Sequence, residues 1–307
     1  MNGLVFYDQN ANGSLDANEA VRLPGTTVSV GGRTGSAADG GRFTVSGVPA
    51  GTQTAEALAA GLPAYFTAGV AVPVNVPQTT GSEVAVPAVL EIGGNRPNYY
   101  LAFGDSITSG VGGGPGGDYP AYLAADLRAF WGEAVVINAG VPGTRSKQGE
   151  SRMGPSVAQH RPAYSLILYG TNDWNDGTCR DNPPCYTIDA LRSMILQARD
   201  GGSNPIIGTI PPANPAYEDR NAAERNVWVS DMNELIRSMA QQEGVPVAEI
   251  HGDFMDQPNL EAIFADHVHP NEEGYLLMTR SWFNAITGSG ATASARRVFG
   301  FTNPFGS

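Results

Sequence analysis

Two different rhythms of apolar and polar positions divide the chain near residue 92. Before it, short runs such as LVFY, TTVSV, RFTVSGV, VAVPVNV and SEVAVPAVL are cut by Gly/Pro turns. Alternation at period two buries one face of a strand, so residues 1–92 predict a small all-β sandwich. GGNRPN (93–98) is the break between the two parts. After it, YYLAF (99–103), AVVINA (134–139), YSLILY (164–169), PIIGTI (205–210) and VPVAEI (245–250) read as short, buried parallel strands. Helices are predicted between them over 119–131, 187–202, 221–244 and 270–288. Thr187 is the expected N-cap of the second. The third places Met232, Leu235, Ile236 and Met239 on one face, and the fourth opens with Pro270 at its first position and acids in its first turn. Five βα units over 93–288 predict an α/β fold, a flavodoxin-like doubly wound parallel sheet of five strands with helices on both faces. Residues 289–307 form a tail in which Phe299, Phe301 and Phe305 are available to pack back.

Composition narrows the partners. The chain of 307 residues is 41% hydrophobic and only 16% charged, with 39 glycines and 22 prolines, which describes a loop-rich globular protein. A net charge of −12 repels a phosphate backbone and excludes nucleic acid as the expected partner. Lys147 is the only lysine, read here as composition bias. The longest apolar runs are far too short to span a bilayer. MNGLVFYDQN runs directly into a strand-like pattern, so the expectation is a mature chain whose leader has been removed. Two lone cysteines are too few for structural zinc. The spacing and Gly/Pro setting of Cys179 and Cys185 in CRDNPPC favour a small-loop disulfide, hence an oxidising compartment, and a secreted or cell-surface protein.

Chemistry-bearing residues gather where strands end. FGDSIT places Ser106 two residues after Gly104, at the end of the first parallel strand. It is not a phosphate loop, because no G-K-[ST] follows, and GDSITSG lacks the dinucleotide order G-x-G-x-x-G. INAGVPGTRS puts Gly140 after the second strand, and LYGTNDWND puts Gly170, Asn172 and Asp173 after the third. FADHVHPNEEG holds Asp266, His267 and His269, a grouping that suits either a metal site or the base end of a nucleophilic triad. Strand ends of a doubly wound sheet converge on one cleft. His160 and His251 read as strand-entry and loop residues.

Together FGDSIT, NAGVPG, GTND and DHVHPN resemble the four blocks of the SGNH (GDSL) hydrolase family, in the family's order, over about residues 99–287. The resemblance implies Ser106 as nucleophile, His269 as general base and Asp266 as the carboxylate that orients it. It implies an oxyanion hole of the Ser106 and Gly140 amides and the Asn172 side chain. No cofactor is then needed for catalysis, and the reaction is acyl transfer from an ester to water. Family members act on short-chain esters, lysophospholipids, thioesters and acetylated sugars. The glycine-rich and polar loops SGVGGGPGGDYP and NDGTCRDNPPCYT point to an open site and short acyl chains. Competing readings are a carbohydrate acetyl esterase, a metallohydrolase using Asp266, His267 and His269, and a non-catalytic cell-surface binding module.

The N-terminal part carries a second pattern. DQNANGSLDANE (8–19) matches D-x-[DN]-x-[DN]-G-x₅-E, with Asp8, Asn10, Asn12, the Ser14 carbonyl, Asp16 and Glu19 as oxygen ligands suited to calcium. Its flanks read as strands, which argues against a helical calcium sensor. With GTTVSV and DGGRFTVSGVPAG it resembles the B-repeat modules of bacterial surface adhesins. That resemblance implies a prealbumin-like sandwich holding structural calcium.

Overall fold

The computed structural model describes residues 1–288. The expected tail, 289–307 with Phe299, Phe301 and Phe305, lies outside the described residues. Two compact units are present. One comprises Met1–Glu91 with Asp126–Glu133 and the described chain from Ile286; the other comprises Ile92–Ala125 and Ala134–Ala285.

The first unit contains eight strands: β1 (Asn2–Tyr7), β2 (Thr27–Val30), β3 (Arg33–Ser36), β4 (Arg42–Thr44), β5 (Gly51–Ala57), β6 (Phe66–Ala68), β7 (Val72–Val76) and β8 (Val84–Leu90). They form two four-stranded sheets, β4-β1-β8-β6 and β3-β2-β5-β7. Every pairing is antiparallel except β1 with β8. Period-two burial is plain in β2, where Val28 and Val30 are inside and Thr27 and Ser29 are only half-buried. Val5, Val86 and Ala88 do the same for the other sheet. β5, GTQTAEA, carried too few apolar positions to be legible as a strand.

The second unit is built from β9 (Arg96–Gly104), α1 (Ser106–Ser109), α2 (Tyr119–Trp131, shared with the first unit), β10 (Val135–Gly140), α3 (Ser146–His160), β11 (Pro162–Leu168), α4 (Gly177–Asp181), α5 (Thr187–Asp200), β12 (Asn204–Gly208), α6 (Ala222–Glu243), β13 (Val247–Ala248), α7 (Ile250–Met255) and α8 (Glu272–Thr287). Its five strands are all parallel in the order β10-β9-β11-β12-β13. The chain leaves β9 for one neighbour, β10, and then crosses to the other, β11. That reversal is the switch point where doubly wound sheets open a crevice at their carboxyl ends.

Alternation along the strands sends side chains to two helical layers. Leu101, Phe103, Ile167 and Ile207 join Met153 of α3, Leu191 and Met194 of α5, and Trp228, Met232 and Ile236 of α6 in one core. Gly208, one residue on from Ile207, faces the other way: a Cβ there would lie 2.9 Å from the Trp282 ring of α8. Trp282 in turn stacks on Tyr119 at the start of α2, with ring centroids 5.9 Å apart. Each fully buried Leu, Ile, Phe or Met side chain stabilises the fold by about 1.5–3 kcal/mol.

Several local expectations are corrected. Thr187 is not a cap; it is the first residue of α5, and its hydroxyl donates to Asp173 Oδ2 at 2.8 Å. Pro270 is not the first helical residue of α8, because Asn271 caps that helix, its Oδ1 accepting the Gly274 N–H at 3.2 Å. Leu235 is exposed, and its place on the buried face of α6 is taken by Asn233, which bonds both the N–H and C=O of Ile210. His251 lies in α7 rather than a loop, and His160 closes α3. Helix α3 was not anticipated: SKQGESRMGPSVAQH is polar and contains Pro155.

Candidate active site

The first parallel strand leads into Ser106. Gly104 ends β9, and no other residue fits there, since a Cβ would lie 2.1 Å from Thr108 Oγ1 and 2.6 Å from the Leu168 carbonyl. Asp105 then caps the single-turn helix α1, its Oδ1 accepting the Ile107 N–H at 2.9 Å. Ser106 is the first residue of that turn, so its N–H has no intrahelical acceptor. Its side chain is largely buried but meets one partner: Ser106 Oγ lies 2.9 Å from His269 Nε2.

The last loop delivers that partner. Asp266 Oδ1 accepts the backbone N–H groups of Val268 and His269 at 2.9 and 2.8 Å, which folds DHVH into a tight turn. The turn swings the His269 ring back, so that Nδ1 lies 2.7 Å from Asp266 Oδ2 while Nε2 faces Ser106. Desolvation acts to raise the Asp266 carboxyl, but the bonds from the Val268 N–H, the His269 ring and the His269 N–H outweigh it and hold it down at about 2. An ionised Asp266 fixes Nδ1–H as the protonated position, leaving Nε2 to accept from the serine hydroxyl. His267 is excluded from this line. Its Nδ1 is 3.7 Å from Asp266 Oδ1, beyond hydrogen-bond range, and its ring turns towards Tyr217 at a centroid distance of 6.2 Å.

The expected oxyanion donors fare differently. Gly140 is packed so tightly that a Cβ would lie 2.3 Å from the Ser109 amide nitrogen, and its own N–H donates to Asn138 Oδ1 at 3.0 Å. That amide, expected as an oxyanion donor, thus already has an acceptor in this structure. Gly143, three residues on, was not singled out in the sequence. It is exposed at φ 75° on the turn after β10, and its N–H has no partner among the described residues. The repeat of glycine within GVPG was the available signal. Asn172 follows β11 and binds that same turn, its Nδ2 donating to the Thr144 carbonyl at 3.0 Å and to Asp105 Oδ2 at 3.2 Å.

Beneath these residues lies a buried charged floor. Burial pushes the Asp105 carboxyl up to about 7; the Ile107 N–H opposes this, the Asp173 charge adds to it and Arg225 opposes it again. Asp173 accepts the Ser146 N–H at 2.9 Å as well as the Thr187 hydroxyl, tying three loops together. Arg225, from the first turn of α6, is buried and donates from Nη2 to the Thr171 carbonyl, next to Asn172. It too was missed, although Arg225, Trp228, Val229 and Met232 share the i, i+3, i+4, i+7 spacing of one helical face. Cys179 and Cys185 form the expected disulfide, with Cα atoms 4.9 Å apart.

In the first unit the predicted calcium ligands share one loop. Asp8 accepts from the N–H groups of Asn12 and Gly13, Asn12 Oδ1 from Ser14, and Glu19 from Gln9 and Asp16. Asn10 and Asn12, however, present Nδ2 and not oxygen to Asp16 Oδ2, at 2.8 and 2.9 Å. Among the described residues no group of three or more His, Cys, Asp or Glu side chains is arranged to hold a metal ion. The loop is closed by its own hydrogen bonds.

A hydroxyl, an imidazole and a carboxylate in one hydrogen-bonded line, at the switch point of a doubly wound sheet, define a hydrolase-type site. The sequence pattern of the GDSL-like Lipase/Acylhydrolase family matches residues 102–277, and the chain belongs to that family. It is a carboxylic ester hydrolase. The Thioesterase 1/protease 1/lysophospholipase L1 of Escherichia coli strain K12 is 25% identical over 176 residues, 56% of this chain and 76% of that protein. An arylesterase of Vibrio mimicus is 30% identical over 114 residues, 36% of this chain and 55% of its own. Among solved structures, a lipase/acylhydrolase from Enterococcus faecalis superposes with a TM-score of 0.53 at 24% identity, covering 62% of this chain and 96% of its own. An acetyl xylan esterase from Geobacillus stearothermophilus does so with a TM-score of 0.52 at 21% identity, covering 62% and 95%. These two likenesses are of fold.

Proposed function

We propose that the protein hydrolyses short-chain acyl esters through an acyl-enzyme formed on Ser106. The observation that carries this reading is the unbroken line Ser106 Oγ–His269–Asp266, at 2.9 and 2.7 Å. His269 Nε2 takes the hydroxyl proton as Oγ attacks the ester carbon, and Asp266 stabilises the imidazolium. His269 then returns the proton to the leaving alcohol, and water repeats the sequence to free the acid. The free N–H groups of Ser106 and Gly143 are the proposed oxyanion donors, each worth about 3–4 kcal/mol in the transition state. Asn172 joins them by exchanging its longer bond, to Asp105, for the oxyanion.

Short acyl chains are favoured by the glycine loop after α1. A Cβ on Gly112 would meet the Pro270 carbonyl at 2.6 Å, and one on Gly113 would meet the Tyr275 ring at 3.0 Å. The loop therefore lies directly against His269, Pro270 and Tyr275 and leaves no deep acyl channel between them. The test is a p-nitrophenyl ester series with wild type and Ser106→Ala. Turnover highest on acetate and lost in the variant is expected; turnover retained by Ser106→Ala overturns the reading.

The disulfide supports an oxidising location, secreted or at the cell surface. No helix among the described residues is long and apolar enough to cross a membrane. The two four-stranded sheets are read as the faces of an accessory sandwich. Calcium in its loop is supported by the sequence pattern and by charge: Asp8 and Glu19 are buried, and neither they nor Asp16 form an ion pair among the described residues. Asp8, Asn10, Asn12, the Ser14 carbonyl, Asp16 and Glu19 would hold the ion once the two asparagine amides turn their oxygens inward, and it would stiffen the loop.

A further inference from the structure

The turn that carries Gly143 is also one wall of a cleft of about 380 Å³. Arg145, Lys147 and Gln148 follow on that wall, and Asp176 and Tyr186 line the cleft as well. Three of these side chains are charged. Arg145 is neutralised by Asp176, with Nη1 2.9 Å from Oδ2, and the Tyr186 hydroxyl donates to the same Oδ2 at 3.2 Å. Lys147 is not neutralised: it makes no ion pair among the described residues, and its ammonium rests over the Tyr186 ring, 4.4 Å from the centroid. One positive charge is thus left over in the cleft. It is the charge of the sole lysine in a chain whose net charge is −12.

The cleft is tied to the reacting centre and to a rigid frame. The Thr144 carbonyl, one peptide on from the free Gly143 N–H, is held by Asn172. Tyr186 directly follows Cys185, so the disulfide to Cys179 fixes the aromatic wall. Stacking on the ring holds the Lys147 ammonium in place before any ligand arrives, which reduces the ordering cost of pairing with an anion. Gly143, a proposed oxyanion donor, lines the cleft, so a group that extends from the ester past that turn enters it, and with a short acyl chain that group is the alcohol.

We propose that this cleft is the alcohol subsite and that it selects esters whose alcohol part bears a carboxylate, which pairs with Lys147. The proposal rests on the esterase reading of Ser106. Asp176, already bonded to Arg145 and Tyr186, shapes the cleft without cancelling Lys147.

The test compares kcat/KM for 4-acetoxybenzoate with that for its neutral isostere 4-acetoxybenzamide. The ratio of the two, anionic over neutral, should fall about fivefold in Lys147→Ala, the scale of an exposed ion pair, and further in Lys147→Glu. In wild type the ratio should fall towards the Lys147→Ala value as salt is raised to about 1 M. A ratio equal in all three proteins, or insensitive to salt, overturns the subsite while leaving the esterase intact. A wild type that hydrolyses neither ester, or a Ser106→Ala variant that hydrolyses both, overturns the esterase reading itself and the subsite with it.

Discussion

Removing the imidazole of His269 should abolish turnover, whereas removing that of His267, two residues away, should not. In the structure His269 makes both bonds of the relay, 2.9 Å to Ser106 Oγ and 2.7 Å to Asp266 Oδ2. His269→Ala deletes both and leaves a neutral hydroxyl as the nucleophile. In serine hydrolases, loss of a member that acts as part of such a unit costs roughly 10⁴–10⁶ in kcat, or about 5.5–8 kcal/mol. His267 contributes no bond to that line. Its backbone carbonyl accepts the Asn214 N–H at 3.0 Å, a bond that alanine keeps. What His267→Ala loses is its ring contacts with Tyr217 and His269, burial having lowered the pKa of its imidazole and kept it neutral, so a loss below about tenfold is expected. Stopped-flow and steady-state p-nitrophenyl acetate hydrolysis, with circular dichroism to confirm folding, separates the two. An inactive His267→Ala beside an active His269→Ala would refute the assignment, and equal losses would mean that the pair acts jointly, as in a metal site.

Four further outcomes are expected. Gly140→Ala should unfold or strongly destabilise the protein, because its Cβ would lie 2.3 Å from Ser109 N. Gly143→Ala has open space around its Cβ and should cost only about 1–2 kcal/mol of backbone strain in thermal melts while lowering kcat; the reverse pattern would restore Gly140 as the donor. Asp266 is held at about 2, below its unfolded value, so the stability it contributes is present above about pH 4 and is lost as pH falls through 2. Half-exposed as it is, that contribution is about 1 kcal/mol, and Asp266→Asn should flatten the acid limb of a denaturation series; an unchanged limb would count against it. Reducing the Cys179–Cys185 bridge, which closes a loop of sequence separation 6, should destabilise by about 2 kcal/mol, and a denaturation midpoint unmoved by reductant would contradict this. Calcium at about 100 times its Kd should raise stability by about 2.7 kcal/mol with no change in kcat at 25 °C; melting curves superimposable in calcium and in EDTA would remove calcium from the first unit.

The legible parts of this fold were those where one local rule decided the outcome. Buried parallel strands show as continuous apolar runs, so β9 to β12 could be placed to within a few residues. β13 shrank to Val247–Ala248, since an edge strand needs only a short pairing. Ser106, Asp266 and His269 stood out in the sequence only through the resemblance carried by four blocks in order, because a serine after a strand or an Asp/His turn is ambiguous by itself. Gly140 and Gly143, three residues apart, serve the same turn, and only packing shows that Gly140 backs onto α1 while Gly143 faces out. Arg225 and helix α3 escaped because their polarity obscures burial and helical propensity. Arg225 is buried with its guanidinium bonded to the Thr171 carbonyl, and α3 buries Ser146, Gly149, Met153 and Val157 among many exposed positions.

Ser106 and His269 are separated by 163 positions, at opposite ends of the second unit's sequence. On the ribosome the strand that leads into Ser106 emerges well before the loop that carries His269. β9, which leads into Ser106, sits between β10 and β11, so the serine follows a strand paired on both sides. The contact between Ser106 and His269 therefore forms only when the turn before α8 docks at the end of β9. Esterase activity by the proposed route thus needs both ends of the second unit's sequence folded together, and a cleavage that frees the last loop would silence it while leaving Ser106 in place.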